Sequence, residues 1–235
     1  MPAAVSANRS AGLGFRVKTQ IERPSKESYM RLAAFSTADL SDVMSNAGTM
    51  VGIHKEYSPI QRAVGPAVTV SIPLGGWNML KMGIEQTQAG DILVVTVHEI
   101  TSFAMWGGNL SRGTHARGVQ AVVIDGAARD IPETQETGLP VFCRAVATGA
   151  GPHVAPGEVN VPIACGGVVV NPGDIVVADE DGVVIVPPDA IDDVVQKAEQ
   201  LKAMHKSVQP VLLRGEVTSI ERIREDILAQ GCLID

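Results

Sequence analysis

Short apolar runs that stop at turn residues punctuate the chain, and helical periods fall between them. The run "DILVVTV" (residues 91–97) is apolar almost throughout, which predicts a buried strand. It is entered through "AGD". The same Gly-Asp turn recurs in "NPGDIVVADEDGVVIVP", where Gly173 and Asp174 lead into a strand, Asp181 and Gly182 turn it, and "VVIVP" returns as a hairpin partner. "AVGPAVTVSIP" alternates apolar and small residues around Gly65 and Pro66 and reads as extended. Met79, Leu80, Met82 and Ile84 fit a helix ending near Gly90. "RLAAFSTADLSDVMSNAG" predicts two short helices, with Thr37 as N-cap, Leu40, Val43 and Met44 as the apolar face and Gly48 as the stop. "NLSRGTHARGVQAVVIDGAARD" predicts a helix, a strand and a loop in succession. Ile191, Val194, Val195, Ala198 and Leu201 give residues 189–203 one apolar helical face, and residues 220–229 form a last helix. Residues 1–28 carry no sustained period and read as an arm, mobile or lying on a partner subunit; residues 29–235 read as one domain. Hairpins mix with crossovers, so a layered α/β domain with mixed sheets is expected in place of an all-parallel doubly wound sheet.

Composition narrows what such a domain binds. Of 235 residues 45% are hydrophobic but only 3% aromatic, so the core is built of Val, Ile, Leu and Ala and offers no platform for stacking bases. A formal net charge of -7 disfavours a polyanionic partner. No direct nucleic-acid ligand is expected. Cys143, Cys165 and Cys232 are widely spaced with no CxxC, which indicates neither a disulfide framework nor a zinc site and predicts a reducing, cytoplasmic compartment. No signal-peptide run occurs in residues 1–14 and no stretch approaches the roughly 20 apolar residues of a membrane span, so no membrane partner is expected.

The run "VVIDGAARD" ends on adjacent Arg129 and Asp130, for which two readings stand side by side. Asp130 can be a helix N-cap, since "DIPE" places Glu133 three residues on, as in a capping box, with Pro132 in the first turn. The loop also lies at the carboxyl end of a buried strand, where α/β proteins bind ligands, and a guanidinium beside a carboxylate can hold an organic acid and a divalent ion together. Upstream, Gly107 and Gly108 precede a helix starting near Asn109, whose free N–H groups form an anion site. "DEDG" (residues 179–182) lacks the spaced ligands of a calcium loop and reads as a hairpin turn. His54, His98, His115, His153 and His205 have no partner at zinc-ligand spacing, and His115 reads as a surface or interface residue.

Taken in order, "TADLSDVM", "AVGPAVTV", "AGDILVV", "ARGVQAVVIDGAARD", "GLPVFCRA" and "VNVPIACGGVVVNPGDIVVADEDGVVIVP" resemble the RraA-like family, from about Thr37 to the C-terminus. That family includes class II pyruvate aldolases acting on 4-hydroxy-4-methyl-2-oxoglutarate and 4-carboxy-4-hydroxy-2-oxoadipate. The resemblance implies an α/β sandwich like that of phosphohistidine swivelling domains, assembled as homotrimers or higher multiples with sites between subunits. It implies that Arg129 grips the carboxylate of a 2-oxo acid substrate, that Asp130 holds Mg²⁺ or Mn²⁺ partly through waters, and that backbone amides of Gly108, Asn109 and Leu110 bind the pyruvyl moiety. The implied activity is metal-dependent carbon–carbon lysis through a pyruvate enolate. The family aldolases carry an acid, used in proton transfer, where this chain has Gly108 or Asn109. Oxaloacetate decarboxylation, which deprotonates no hydroxyl, is therefore the activity least affected. Glu199 and Glu216 are candidates for an acid that the family supplies from a neighbouring subunit. Other members are regulators that bind and inhibit a ribonuclease, which is the alternative reading.

Overall fold

The "DILVVTV" run lies in the middle of the sheet. A computed structural model describes residues 13–57, 62–73 and 75–234. Its first half comprises β1 (Arg16–Val17), α1 (Lys26–Met30), α2 (Thr37–Val43), β2 (His54–Tyr57), β3 (Arg62–Ser71), α3 (Trp77–Glu85), β4 (Ile92–Thr96), β5 (Ala104–Trp106), α4 (Gly108–Ala116) and β6 (Ala121–Ala128). There follow α5 (Ile131–Thr137), β7 (Val141–Val146), β8 (Glu158–Val159), β9 (Ile163–Cys165), β10 (Val168–Val170), β11 (Ile175–Asp179), β12 (Gly182–Val186), α6 (Ile191–Leu212) and α7 (Ile220–Ala229). Strands β3, β4, β6 and β7 pair in parallel, while β2 joins β7 and β8 joins β3 antiparallel. The sheet is mixed, as the sequence predicts.

Period-two alternation sorts the core into layers. In β4, Leu93 and Val95 pack with Met79, Leu80, Trp106 and Val122 on the side covered by α3, α4 and α5, whereas Ile92 and Val94 pack with Val176, Ala178 and Ile185 on the other. In β11 the same rule repeats: Val176 and Ala178 face β4, and Ile175 and Val177 face Leu40, Val194 and Val195 of α2 and α6. Strand β3 serves both sheet layers, pairing through Arg62–Pro66 with β11 and through Ala67–Ser71 with β4. Helices thus cover two stacked sheet layers from both outer faces. No described helix is long and apolar enough to cross a membrane.

The repeated Gly-Asp turn has one construction at both places. Gly90 and Gly173 take φ of 99° and 90°, and each following carboxylate accepts the N–H three residues before it, Gln88 to Asp91 and Asn171 to Asp174, both at 2.7 Å. Burial pushes the Asp174 carboxyl up from the ordinary carboxylate range, against the pull of its bonds from Asn171.

Several local details depart from the sequence expectations, among them the helix expected over residues 189–203, which runs on to Leu212 and leaves Leu201 only partly buried. The N-cap of α2 is Ser36, whose Oγ accepts from Asp39 N at 3.0 Å, while Thr37 donates to Asp179 through both N and Oγ1. That helix ends at Val43, short of Gly48, because Ser45 and Asn46 turn left-handed. Helix α3 likewise ends at Glu85, with Met82 facing outward. Of the stretch expected as an arm, residues 1–12 lie outside the described residues. Residues 13–28 run along their own domain: β1 pairs with β8, and Arg23 grips Asp91 at 2.8 and 2.7 Å.

Helix α3 approaches the sheet closely through Gly83, where a Cβ would fall 2.2 Å from Val70 Cγ2. Gly to Ala in an open helix gains about 1 kcal/mol. Here Gly83→Ala is expected to lose about 1–3 kcal/mol by overpacking, seen as a lower denaturant midpoint with unchanged slope.

Candidate active site

Strand β6 ends at Ala128, and the next two residues carry the groups of interest. Arg129 N still donates to the Trp106 carbonyl at 2.9 Å, which ties the loop to β5. Asp130 then takes φ 56° and ψ 52°, a left-handed conformation uncommon outside glycine, and α5 starts at the next residue. The left-handed turn decides where the carboxylate goes. Asp130 stands at the N-cap position of α5 but makes no side-chain capping bond there, so the capping box expected with Glu133 does not form. Its Oδ2 instead accepts Gly108 N, at the start of the neighbouring helix α4, at 3.2 Å. The carboxylate therefore meets the positive end of α4 in place of its own helix.

The glycines upstream make room for it. A Cβ on Gly107 would fall 2.5 Å from Asp130 Oδ2, and one on Gly108 would fall 2.6 Å from Glu133 Cβ. The guanidinium of Arg129 is placed but not saturated. Nη1 reaches the Thr148 carbonyl only at 3.5 Å, and Nε is enclosed without a hydrogen-bond acceptor, 3.7 Å from Asp130 Oδ1. Both side chains remain partly open to solvent.

These groups line a cleft of about 230 Å³. One wall is the Arg129–Asp130 loop with Gly107, Asn109 and Leu110 from the start of α4, and the remainder comes from Trp77 and Lys81 of α3 with Ala150 and His153. Three of the expected α4 positions thus divide: Asn109 and Leu110 face the cleft, whereas Gly108 does not line it and its amide is engaged by Asp130. Glu199 is exposed on α6, and Glu216 pairs with Arg214 near the C-terminus, so neither reaches this cleft within the chain.

Trp77, Lys81 and His153 were not singled out as site residues by sequence reasoning. The signal for the first two is their spacing, since residues four apart share a helix face. Trp77 Nε1 donates to the Gly151 carbonyl at 2.9 Å, and its ring lies 6.4 Å from that of His153. Among the described residues no group of three or more His, Cys, Asp and Glu could by itself enclose a metal. A cation here would rest on Asp130, with water and ligand oxygens completing its shell. Mg²⁺ commonly binds in that way, through one or two carboxylates and several waters, so the donor set fits it.

Other candidates resolve into structure. The "DEDG" stretch is the β11–β12 turn, with Asp179 opposite Gly182 and its carboxylate holding the start of α2. Asp125 of β6 is buried and accepts Arg144 Nε at 2.5 Å and Gly166 N at 2.8 Å. Burial, and secondarily the Asp125 charge, push the Cys165 thiol well up, so it stays protonated and unreactive at neutral pH.

Comparison with known proteins identifies the family. The profile of the RraA-like family, described as Aldolase/RraA, matches residues 37–185. A protein of Methanocaldococcus jannaschii described as uncharacterised is 32% identical over 186 residues, covering 79% of this chain and 88% of its own. The 4-hydroxy-4-methyl-2-oxoglutarate aldolase of Thermus thermophilus is 30% identical over 151 residues, covering 64% of this chain and 92% of its own. Among solved structures, an unusual member of the RNase ES inhibitor RraA protein family from Streptomyces coelicolor superposes with a TM-score of 0.74 at 28% identity, over 81% of this chain and 99% of that one. With a family profile matched across most of its length, on a mixed α/β fold shared with these relatives, the chain belongs to the RraA-like family.

Proposed function

We propose that the chain is a divalent-metal-dependent carbon–carbon lyase that releases pyruvate, from a 4-hydroxy-2-oxo diacid by retro-aldol cleavage or from oxaloacetate by decarboxylation. The observation that carries this reading is the convergence of Arg129, Asp130 and the start of α4 on one cleft. A relative named as a 4-hydroxy-4-methyl-2-oxoglutarate aldolase supports this reading.

Each residue has a distinct task. Arg129 presents a planar fork suited to the C1 carboxylate of a 2-oxo acid, a geometry that an ammonium cannot reproduce. The amides of Asn109 and Leu110, at the open first turn of α4, are donors for the ligand oxygens beside that carboxylate. Asp130 holds Mg²⁺ or Mn²⁺, which supplies Lewis-acid stabilisation of the negative charge that develops when the carbon–carbon bond breaks. Retro-aldol cleavage also needs a base for the C4 hydroxyl. Asp130 is the sole carboxylate among the described residues lining the cleft, and a side chain at position 108 would meet Glu133. Decarboxylation needs no such base and is the reaction these residues support with the fewest additions. We place the protein in the cytoplasm as a homotrimer or a higher multiple.

The test is a coupled pyruvate-release assay with oxaloacetate and 4-hydroxy-4-methyl-2-oxoglutarate. Release is expected to stop with EDTA and return with Mg²⁺ or Mn²⁺. Turnover unchanged by exhaustive chelation overturns the reading. The Streptomyces structure, of an unusual member of the RNase ES inhibitor RraA protein family, favours a second reading, a protein that binds a ribonuclease. Stoichiometric binding of a purified ribonuclease with no turnover of either acid would decide for it.

A further inference from the structure

Two cationic side chains line the cleft, and the proposed chemistry uses only Arg129. The other is Lys81. It lies one turn after Trp77 on α3, so both fall on the helix face that borders the cleft. The two are held differently. Trp77 is pinned by its bond to the Gly151 carbonyl, whereas Lys81 is exposed and makes no hydrogen bond or ion pair among the described residues. Its natural helical partner, Glu85, one turn further on, is drawn instead to Arg117 at 3.3 Å. The cleft's carboxylate, Asp130, is already engaged by Gly108 N and lies beside Arg129.

Position adds a second argument. Lys81, Asn109 and Leu110 also line an adjoining, smaller hollow of about 150 Å³ that continues along Ile84, Gly113 and Thr114. A ligand anchored by one carboxylate at Arg129 and extending past Asn109 and Leu110 therefore meets a free ammonium where the two hollows join. We infer that Lys81 is a specificity-determining residue that binds the second carboxylate of a dicarboxylic 2-oxo acid. This rests on the reading above in placing the first carboxylate at Arg129.

The test compares 2-oxoglutarate with 2-oxopentanoate, acids of equal chain length that differ in the second carboxylate. Binding to the full chain in Mg²⁺ is measured by calorimetry for the wild type, Lys81→Met and Lys81→Arg. The wild type is expected to prefer the diacid about tenfold, the size of one charge-assisted bond. Lys81→Met should erase that preference while changing 2-oxopentanoate affinity less than about twofold, and Lys81→Arg should keep most of it. A preference that survives in Lys81→Met, an equal loss for both acids, or no binding of either acid to the wild type overturns the inference. If the wild type releases no pyruvate yet shows a diacid preference that Lys81→Met abolishes, the lyase reading fails and the Lys81 assignment stands.

Discussion

Arg129→Ala is expected to lower kcat/KM for pyruvate release by about a thousandfold, equivalent to about 4 kcal/mol of transition-state stabilisation. The loss is large because no other cation among the described residues can take over. Lys81 approaches the cleft from a different element, and the amides of Asn109 and Leu110 carry only partial charge. Arg129→Lys tests geometry against charge. It keeps the cation but loses the planar fork, and is expected to be down about 10- to 100-fold. Neither change should disturb folding, since the guanidinium makes one long hydrogen bond and its side chain is 36% exposed. The check is steady-state kinetics beside denaturant unfolding. Arg129→Ala with near wild-type kcat/KM would remove the arginine from the mechanism.

The largest stability effect is expected four residues earlier, at Asp125 of β6. Its side chain is 4% exposed, and its two oxygens receive Arg144 Nε and Gly166 N. The hydrogen bond that Arg144 donates to Asp125 is the main reason that its guanidinium is pushed above its ordinary value. Asp125→Ala leaves a half-buried guanidinium without its principal partner and an enclosed N–H without an acceptor. Removing one side of such a buried pair costs about 3–5 kcal/mol. Asp125→Asn keeps an acceptor for Gly166 and should cost less. Urea denaturation of both variants gives the comparison, and equal midpoints for wild type and Asp125→Ala would show that Arg144 finds compensation elsewhere, with Glu99 already at 3.7 Å.

Much of the architecture was legible in the residue pattern. Continuous apolar runs such as "DILVVTV" become strands buried on both faces, and the face of residues 191–198 becomes the buried stripe of α6. The Gly-Asp turns could be read because their mechanism is local: a left-handed glycine and a carboxylate that reaches back three residues. The adjacency of Arg129 and Asp130 was likewise visible, being a matter of covalent neighbours at a strand end. Local rules also misplaced groups whose partners are distant. Thr37 was expected to cap α2, but Asp179 from the β11–β12 turn claims both its donors.

The sequence alone determined the alternation that assigns each residue of a strand to a face, the turn chemistry, and the Arg-Asp pair. Tertiary structure decided what those faces and groups meet. Strand β4 pairs between β3 and β6, and that order sets α3 and α4 along one side of the sheet, so Trp77 and Lys81 share a cleft with Arg129. It also brings α4 against α5, which forbids a side chain on Gly108 and lets Asp130 serve a helix other than its own. The physical reason is range. Periodicity and capping act over a few residues, whereas strand order is settled by long-range pairing and core packing, which no short window of sequence contains.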